Sequence, residues 1–133
     1  MIKIKRIHHM GINTIDFEKT YRFYTELLGC KLVKTVEDGG STTAYLELPC
    51  GEQIELFDHH GKTIDRGDYV EFGNGYRHLA LEVEDVPKQE AYLRESGVEI
   101  ILPTTPLPHL QIRVMLFLDP SGTCIEFLEP FAC

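Results

Sequence analysis

Hydrophobic and polar positions change period along the chain in an order that occurs twice. Residues 5–14 alternate, with Met10 and Ile12 on one face, which is the two-residue period of a half-buried strand. Phe17, Tyr21, Tyr24 and Leu28 then recur at helical spacing. Asp16 is placed to cap that helix, because its carboxylate can accept from the free amides of the first turn. Gly29 suits the left-handed residue past the helix end. Strand patterns follow around Val33, over Ala44 to Leu48 and over Gln53 to Phe57, with Asp38-Gly39-Gly40 as a turn. The same order returns later. Asp85 caps a helix with Pro87 in its first turn and Leu93 among its apolar positions, and Gly97 stops it. Strands near Val98 to Leu102, Ile112 to Leu118 and Thr123 to Leu128 follow, with Asp119-Pro-Ser-Gly122 as the last turn. Pro103, Pro106 and Pro108 predict a stiff loop beside a site.

The duplication extends to polar residues. His9-Met-Gly-Ile leads to Asp16, and His78-Leu-Ala-Leu leads to Asp85, seven positions on in both cases. Gly51-Glu-Gln-Ile-Glu55 matches Gly122-Thr-Cys-Ile-Glu126, and the His-to-Glu spans are 46 and 48 positions. Two residue types recurring at nearly equal spacing mark an internal repeat. The expected organisation is a first module over 1–58, a polar, Gly-punctuated linker over 59–75, and a second module over 76–133. Together they are expected to form one compact domain of strand, helix and three strands, twice over.

Strand parity selects the chemistry. Side chains alternate between faces, so His9 points away from Met10 and Ile12, and Glu55 away from Ile54 and Leu56. His78 opposes Leu79 and Leu81 in the same way, and Glu126 opposes Ile125 and Phe127. The apolar faces take the helices, which leaves one imidazole and one carboxylate per module on the other face. Gly11 and Ala80 leave room there, while His8 falls on the helix side. Two imidazoles and two carboxylates suit one divalent transition metal, Ni²⁺, Co²⁺ or Zn²⁺ first, with Fe²⁺ or Mn²⁺ also in range, rather than Ca²⁺ or Mg²⁺. Four protein ligands around an octahedral ion leave two positions for water or substrate oxygens.

Composition narrows the partners. Thirteen Lys and Arg against 21 Asp and Glu give a net charge of -8, with no clustered basic stripe, which opposes a nucleic-acid backbone or an anionic membrane face. No apolar run approaches the roughly 20 residues of a membrane helix, and no apolar stretch follows the basic start as a secretory signal requires. Cys30, Cys50, Cys124 and Cys133 form no CxxC pair, which fits reduced thiols in a cytoplasmic protein.

These residues carry a resemblance over nearly the whole chain. His8-His9-Met-Gly-Ile, Phe23-Tyr24-Thr-Glu-Leu-Leu-Gly29 and Ile54-Glu55-Leu56 resemble the vicinal oxygen chelate superfamily, which includes glyoxalase I (lactoylglutathione lyase). So do Arg77-His78-Leu-Ala-Leu, Asp119-Pro-Ser-Gly122 and Ile125-Glu126-Phe127. The resemblance implies an α+β fold of paired βαβββ modules, open barrel-like sheets around one metal, and a homodimer. It places metal ligands at His9, Glu55, His78 and Glu126, and makes Glu126 the base with Glu55 mainly a ligand. The implied activity is a metal-dependent lyase that moves a proton on the hemithioacetal of methylglyoxal and a thiol. The metal would act as a Lewis acid and a nearby carboxylate as the base.

Two departures bear on the substrate. Asn13 stands where similar glutathione-using enzymes carry Arg, and His59 stands where they carry Asn. Asn13, Phe57, His59 and Tyr76 are therefore the candidate substrate-binding residues of a small-molecule site, with a thiol other than glutathione open. The alternatives are a methylmalonyl-CoA epimerase-like enzyme and a non-catalytic, bleomycin-resistance-like binding dimer. The former usually has a His-Pro-Lys segment where Asp119-Pro120-Ser121 stands, and the latter lacks the metal ligands that this chain retains. His60 and His109 are expected as solvated loop residues and Cys124 as a small buried hydrophobe.

Overall fold

The computed structural model describes residues 1–67, 69 and 73–131; residues 68, 70–72 and 132–133 lie outside the described residues, as do parts of the expected linker and Cys133. The chain divides into two compact units, Met1–Asp65 and Arg66–Cys133, and the division falls within the stretch 59–75.

The first unit runs β1 (His9–Asn13), α1 (Phe17–Arg22), a π-helical turn (Phe23–Leu27), β2 (Lys31–Asp38), β3 (Ser41–Glu47) and β4 (Gln53–Asp58). Its sheet has the order β1-β4-β3-β2, with β1 parallel to β4 and the other pairs antiparallel. The second unit runs β5 (Leu79–Glu82), α2 (Val86–Glu95), β6 (Ile100–Leu107), β7 (Ile112–Leu118) and β8 (Cys124–Pro130). Its order is β5-β8-β7-β6, again with one parallel pair, β5 with β8. Each unit is thus a βαβββ module with an open four-stranded sheet.

Apolar parity builds each core. In the first sheet Met10 lies opposite Ile54, Ile12 and Ala44 opposite Leu56, and Leu46 opposite Ile54. Ile54 and Leu56 are fully enclosed, each contributing about 1.5–3 kcal/mol relative to an exposed side chain. In the second sheet Leu79 and Phe117 flank Ile125, and Leu81 and Met115 flank Phe127. The Phe117 and Phe127 rings meet edge to face at 4.7 Å. α2 packs on β6, β7 and β8, and seats Val86 and Leu93 in that core.

The punctuation residues act as expected. The Asp16 carboxylate accepts from Lys19 N at 3.1 Å, and Asp85 accepts from Lys88 N at the same distance. Gly29 and Gly97 end the two helical segments with φ of 75° and 79°. Gly39 and Gly40, at φ of 57° and 93°, form a two-residue hairpin closed by the Asp38–Ser41 pair, the type I′ geometry that glycine favours.

Three local expectations need correction. β1 starts at His9 rather than near Lys5, because its neighbour β4 begins at Gln53, directly opposite His9, and nothing in that sheet pairs with residues 5–8. The first helix does not continue as a regular α-helix to Leu28. Leu28 N donates to Phe23 O, and Cys30 N to Tyr24 O, in a widened turn that buries the adjacent Phe23 and Tyr24 together. Two of the three prolines of that segment stand in a strand rather than a loop, while Pro108 lies in the turn that follows it, as expected. β6 is an edge strand in which Pro106 pairs with Arg113, and Pro103 sits in the irregularity between Leu102 and Thr105, positions where a missing amide is tolerated.

Candidate metal centre

Each unit brings its repeated imidazole and carboxylate together. In the first, β1 and β4 run parallel with Gly11 opposite Glu55, so His9 and Glu55 share the face away from Ile12 and Leu56. His9 Nδ1 stands 2.9 Å from Glu55 Oε2, and Glu55 is buried. In the second unit Ala80 lies opposite Glu126, and His78, just before β5, places Nε2 3.4 Å from Glu126 Oε2. His78 Nδ1 is buried without a hydrogen-bond partner among the described residues.

These pairs fit a divalent ion. Two donors each about 2.1 Å from one cation stand roughly 3.0 Å apart at a right angle and about 3.4 Å apart at a tetrahedral angle. The two observed separations, 2.9 and 3.4 Å, fall in that range. Two such residues per unit are too few to enclose an ion, and among the described residues no group of three or more His, Cys, Asp or Glu is assembled to hold one.

The surroundings differ between the pairs. On the first unit's face Tyr45 of β3 lies opposite Glu55, and Lys34 Nζ sits 4.7 Å above the Tyr45 ring. Phe57 follows Glu55 on the same face. A Cβ at Gly11 would come within 3.1 Å of Phe57 Cε2, so the room left by this glycine is taken by an aromatic ring. Beyond it His59 stacks on Phe57, with centroids 6.0 Å apart and planes within 7°. His59 Nε2 donates to Asn13 Oδ1 at 2.7 Å, and Ser41 Oγ lies 2.7 Å from His59 Nδ1. Asn13, Phe57 and His59 are thus in one cluster. Ser41 was not singled out from sequence, because only the β3–β4 register, Thr42 opposite Asp58, carries it to His59.

The second unit's face sets apolar side chains directly beside its carboxylate, with Glu82 farther along, opposite Leu128. Glu126 lies between Ala80 and Leu116, with Cys124 opposite Leu118 and Leu128 opposite Val114 to either side. Cys124 is buried, which pushes its thiol up, with Glu126 adding to the rise and Tyr69 and Arg77 opposing it. Burial, with Cys50 nearby, pushes the Cys30 thiol up to about 11. Tyr76 is 93% exposed and precedes β5.

His8 departs from the expectation that it faces the helix. It lies before the first strand, where parity no longer applies, and its Nδ1 is 2.9 Å from that of His9. His60 joins a separate network, with its backbone amide donating to Asp58 Oδ1 at 2.8 Å and its Nε2 3.0 Å from Thr42 Oγ1.

Comparison with known proteins places this geometry in a family. The profile of the Glyoxalase/Bleomycin resistance protein/Dioxygenase superfamily matches residues 6–127. The chain is 30% identical over 129 residues to the lactoylglutathione lyase of Haemophilus influenzae, covering 93% of this chain and 92% of that protein. It is 33% identical over 131 residues to the uncharacterized protein YwkD of Bacillus subtilis, covering 95% and 98% of the two chains. Among solved structures, a glyoxalase family protein from Enterococcus faecalis superposes with a TM-score of 0.80 at 30% identity, over 94% of this chain and 98% of that one. No helix among the described residues is long and apolar enough to cross a membrane. By the extent of the profile match and the repeated βαβββ units, the chain belongs to the Glyoxalase/Bleomycin resistance protein/Dioxygenase superfamily.

Proposed function

We propose that the protein is a metal-dependent glyoxalase I-like lyase that acts on the hemithioacetal of methylglyoxal and a thiol. The observation that carries this reading is the repeated His–Glu contact, 2.9 Å in one unit and 3.4 Å in the other, at matching places in the two modules. His9, Glu55, His78 and Glu126 would hold one divalent transition metal, Ni²⁺, Co²⁺ or Zn²⁺ first. When bound, the metal supplies Lewis acidity that makes a proton beside a carbonyl easier to remove.

Proton transfer falls to the chain's own carboxylates. In the hemithioacetal a proton leaves the carbon that bears hydroxyl and sulfur and returns to the neighbouring carbon, which yields an α-hydroxy thioester. Glu126 is the base in this reading. Its side chain is 16% exposed against 9% for Glu55, and it stands farther from its histidine, so it is the less tightly held carboxylate. Ala80, Leu116, Cys124 and Leu128 around it favour exclusion of water from the reacting carbon. Glu55, buried against His9, serves chiefly as a ligand. Asn13, Phe57, His59 and Tyr76 contact the substrate, and the working form is a cytoplasmic homodimer.

The test is conversion of methylglyoxal with a panel of thiols, set against epimerisation of an acyl-CoA, by protein reloaded with each metal. Thioester formation that depends on added metal is the expected result. Epimerisation alone would favour the epimerase-like reading, and a metal-free protein inert in both assays the binding dimer. Light scattering that gave a fully active monomer would remove the dimer.

A further inference from the structure

Ser41, His59 and Asn13 form a continuous relay; the lyase reading gives Asn13 and His59 only a contact with substrate, gives Ser41 no part, and uses none of the three in proton transfer. His59 Nε2–H donates to the side-chain oxygen of Asn13 at 2.7 Å, which fixes the ring tautomer. In the neutral ring Nδ1 is then an acceptor, and Ser41 Oγ–H, 2.7 Å away, donates to it. A hydroxyl on a base whose other nitrogen is held by a third polar group is the arrangement that activates a nucleophile. The Phe57 ring stacked on His59 holds the imidazole plane from one side.

The backbone before Ser41 leaves open space. Ser41 follows the tight Gly39-Gly40 turn, in which both residues have positive φ and open space where a side chain would be. The strand ladder ends at the Asp38–Ser41 pair, so the two glycine amides lie beyond it. The relay is set off from the metal-type pair. His59 is four residues beyond Glu55, and four extended residues span about 13 Å.

We propose that Ser41, His59 and Asn13 form an acyl-transfer site that hydrolyses small esters and thioesters, with Ser41 as nucleophile, His59 as general base and Asn13 as the positioning residue. Ser41 Oγ attacks the acyl carbon while its proton passes to His59 Nδ1. The bond from carbon to the leaving sulfur or oxygen breaks, and the leaving group takes that proton. Water then attacks the acyl-Ser41 ester, giving one proton to His59, and Ser41 Oγ leaves and recovers it. The sum is acyl thioester plus water giving carboxylic acid plus thiol, with no oxidant or further reactant. An α-hydroxy thioester, the product expected of the lyase, belongs to this substrate class, but the inference does not depend on that reaction.

The probe is 4-nitrophenyl acetate with the purified protein, read as nitrophenolate release and as the site of acetylation in digested protein. A burst of release with the acetyl group mapped to Ser41 is the expected result. Ser41→Ala should remove the adduct and lower hydrolysis by at least about a hundredfold. Asn13→Asp should retain the adduct and move the rising limb of the pH–rate profile to higher pH, because a carboxylate in place of the amide makes the imidazole more basic; a purely structural Asn13 would leave the profile where it is. Mapping in the unaltered protein needs no variant to fold. Acetylation confined to lysines or cysteines, or hydrolysis unchanged in Ser41→Ala, would overturn the proposal. Loss of lyase activity with Ser41 still acylated would count against the lyase reading alone.

Discussion

The two units share a strand order, a helix cap, a closing turn and a His–Glu contact, yet they surround that contact differently. The first sets it among Tyr45, Lys34, Phe57, Asn13 and His59, with Glu55 buried and 2.9 Å from His9. The second sets it among Ala80, Leu116, Cys124 and Leu128, with Glu126 more exposed and 3.4 Å from His78. Duplication preserved what the backbone must do, which is to bring a ring nitrogen and a carboxylate to one face of a parallel strand pair. The neighbouring side chains were free to diverge. A tightly held carboxylate suits coordination, and a looser one among apolar neighbours suits proton transfer.

The largest expected effect breaks that division of labour. Glu126→Gln should retain substantial metal, because the amide oxygen can still coordinate, while turnover at matched metal occupancy falls at least about a hundredfold. Glu55→Gln, compared at the same occupancy, should keep more activity. Steady-state rates against metal content check the pair, and the opposite ranking would give the base to the first unit.

The closing turns offer a smaller contrast, in stability. Leu48-Pro49-Cys50-Gly51 and Asp119-Pro120-Ser121-Gly122 occupy equivalent places, and both bond the fourth residue's amide to the first residue's carbonyl. Only the second turn starts with a carboxylate, and buried Asp119 accepts from the amides of Ser121 and Thr123 at 2.8 and 2.9 Å. Asp119→Ala should cost about 2 kcal/mol in denaturant unfolding, since it removes a charged acceptor from two amides.

The helix caps differ by less. Asp16 has extended backbone, whereas Asp85 caps from the left-handed region at φ 55°. Asp16→Ala should cost about 1 kcal/mol, and Asp85→Ala about 1 kcal/mol more, because alanine tolerates that φ poorly. Asp85→Asn should recover most of the difference, read from thermal unfolding.

The smallest effect is in acid. The Glu90 carboxyl is held below its ordinary value of 4.5, first by the Thr104 amide and then by Arg94, and so ties α2 to β6. A carboxyl whose folded value is depressed stabilises above its unfolded value, and that contribution disappears as pH falls through the folded one. Stability measured from about pH 6 down to about pH 3 should therefore fall less steeply in Glu90→Gln than in the parent. In the first unit Arg22 and Glu26 link neighbouring helical turns instead, without reaching a strand.

What was legible in the sequence follows from how each signal is encoded. Parity placed Ile12, Leu56, Ile125 and Phe127 in cores, because alternation in a paired strand leaves little choice. The caps at Asp16 and Asp85 were legible because one side chain serves amides three residues away. The π-helical turn was not, since it needs Phe23 and Tyr24 to share a core that the residues alone do not display. His8 was misplaced because parity was carried past the end of the neighbouring strand. Pro103 and Pro106 were read as a loop because their tolerance in β6 depends on its being an edge strand, a property of sheet order. Ser41 was missed for a related reason, as its approach to His59 is set by register across β3 and β4.

The central claim is that both units contribute to one metal set, and metal content measures it most directly. The parent, stripped and reloaded, should hold one divalent ion per chain by elemental analysis. His9→Ala and His78→Ala should each reduce that content sharply. If either His9→Ala or His78→Ala bound as much metal as the parent while remaining folded, a site built from both halves of the repeat would be contradicted.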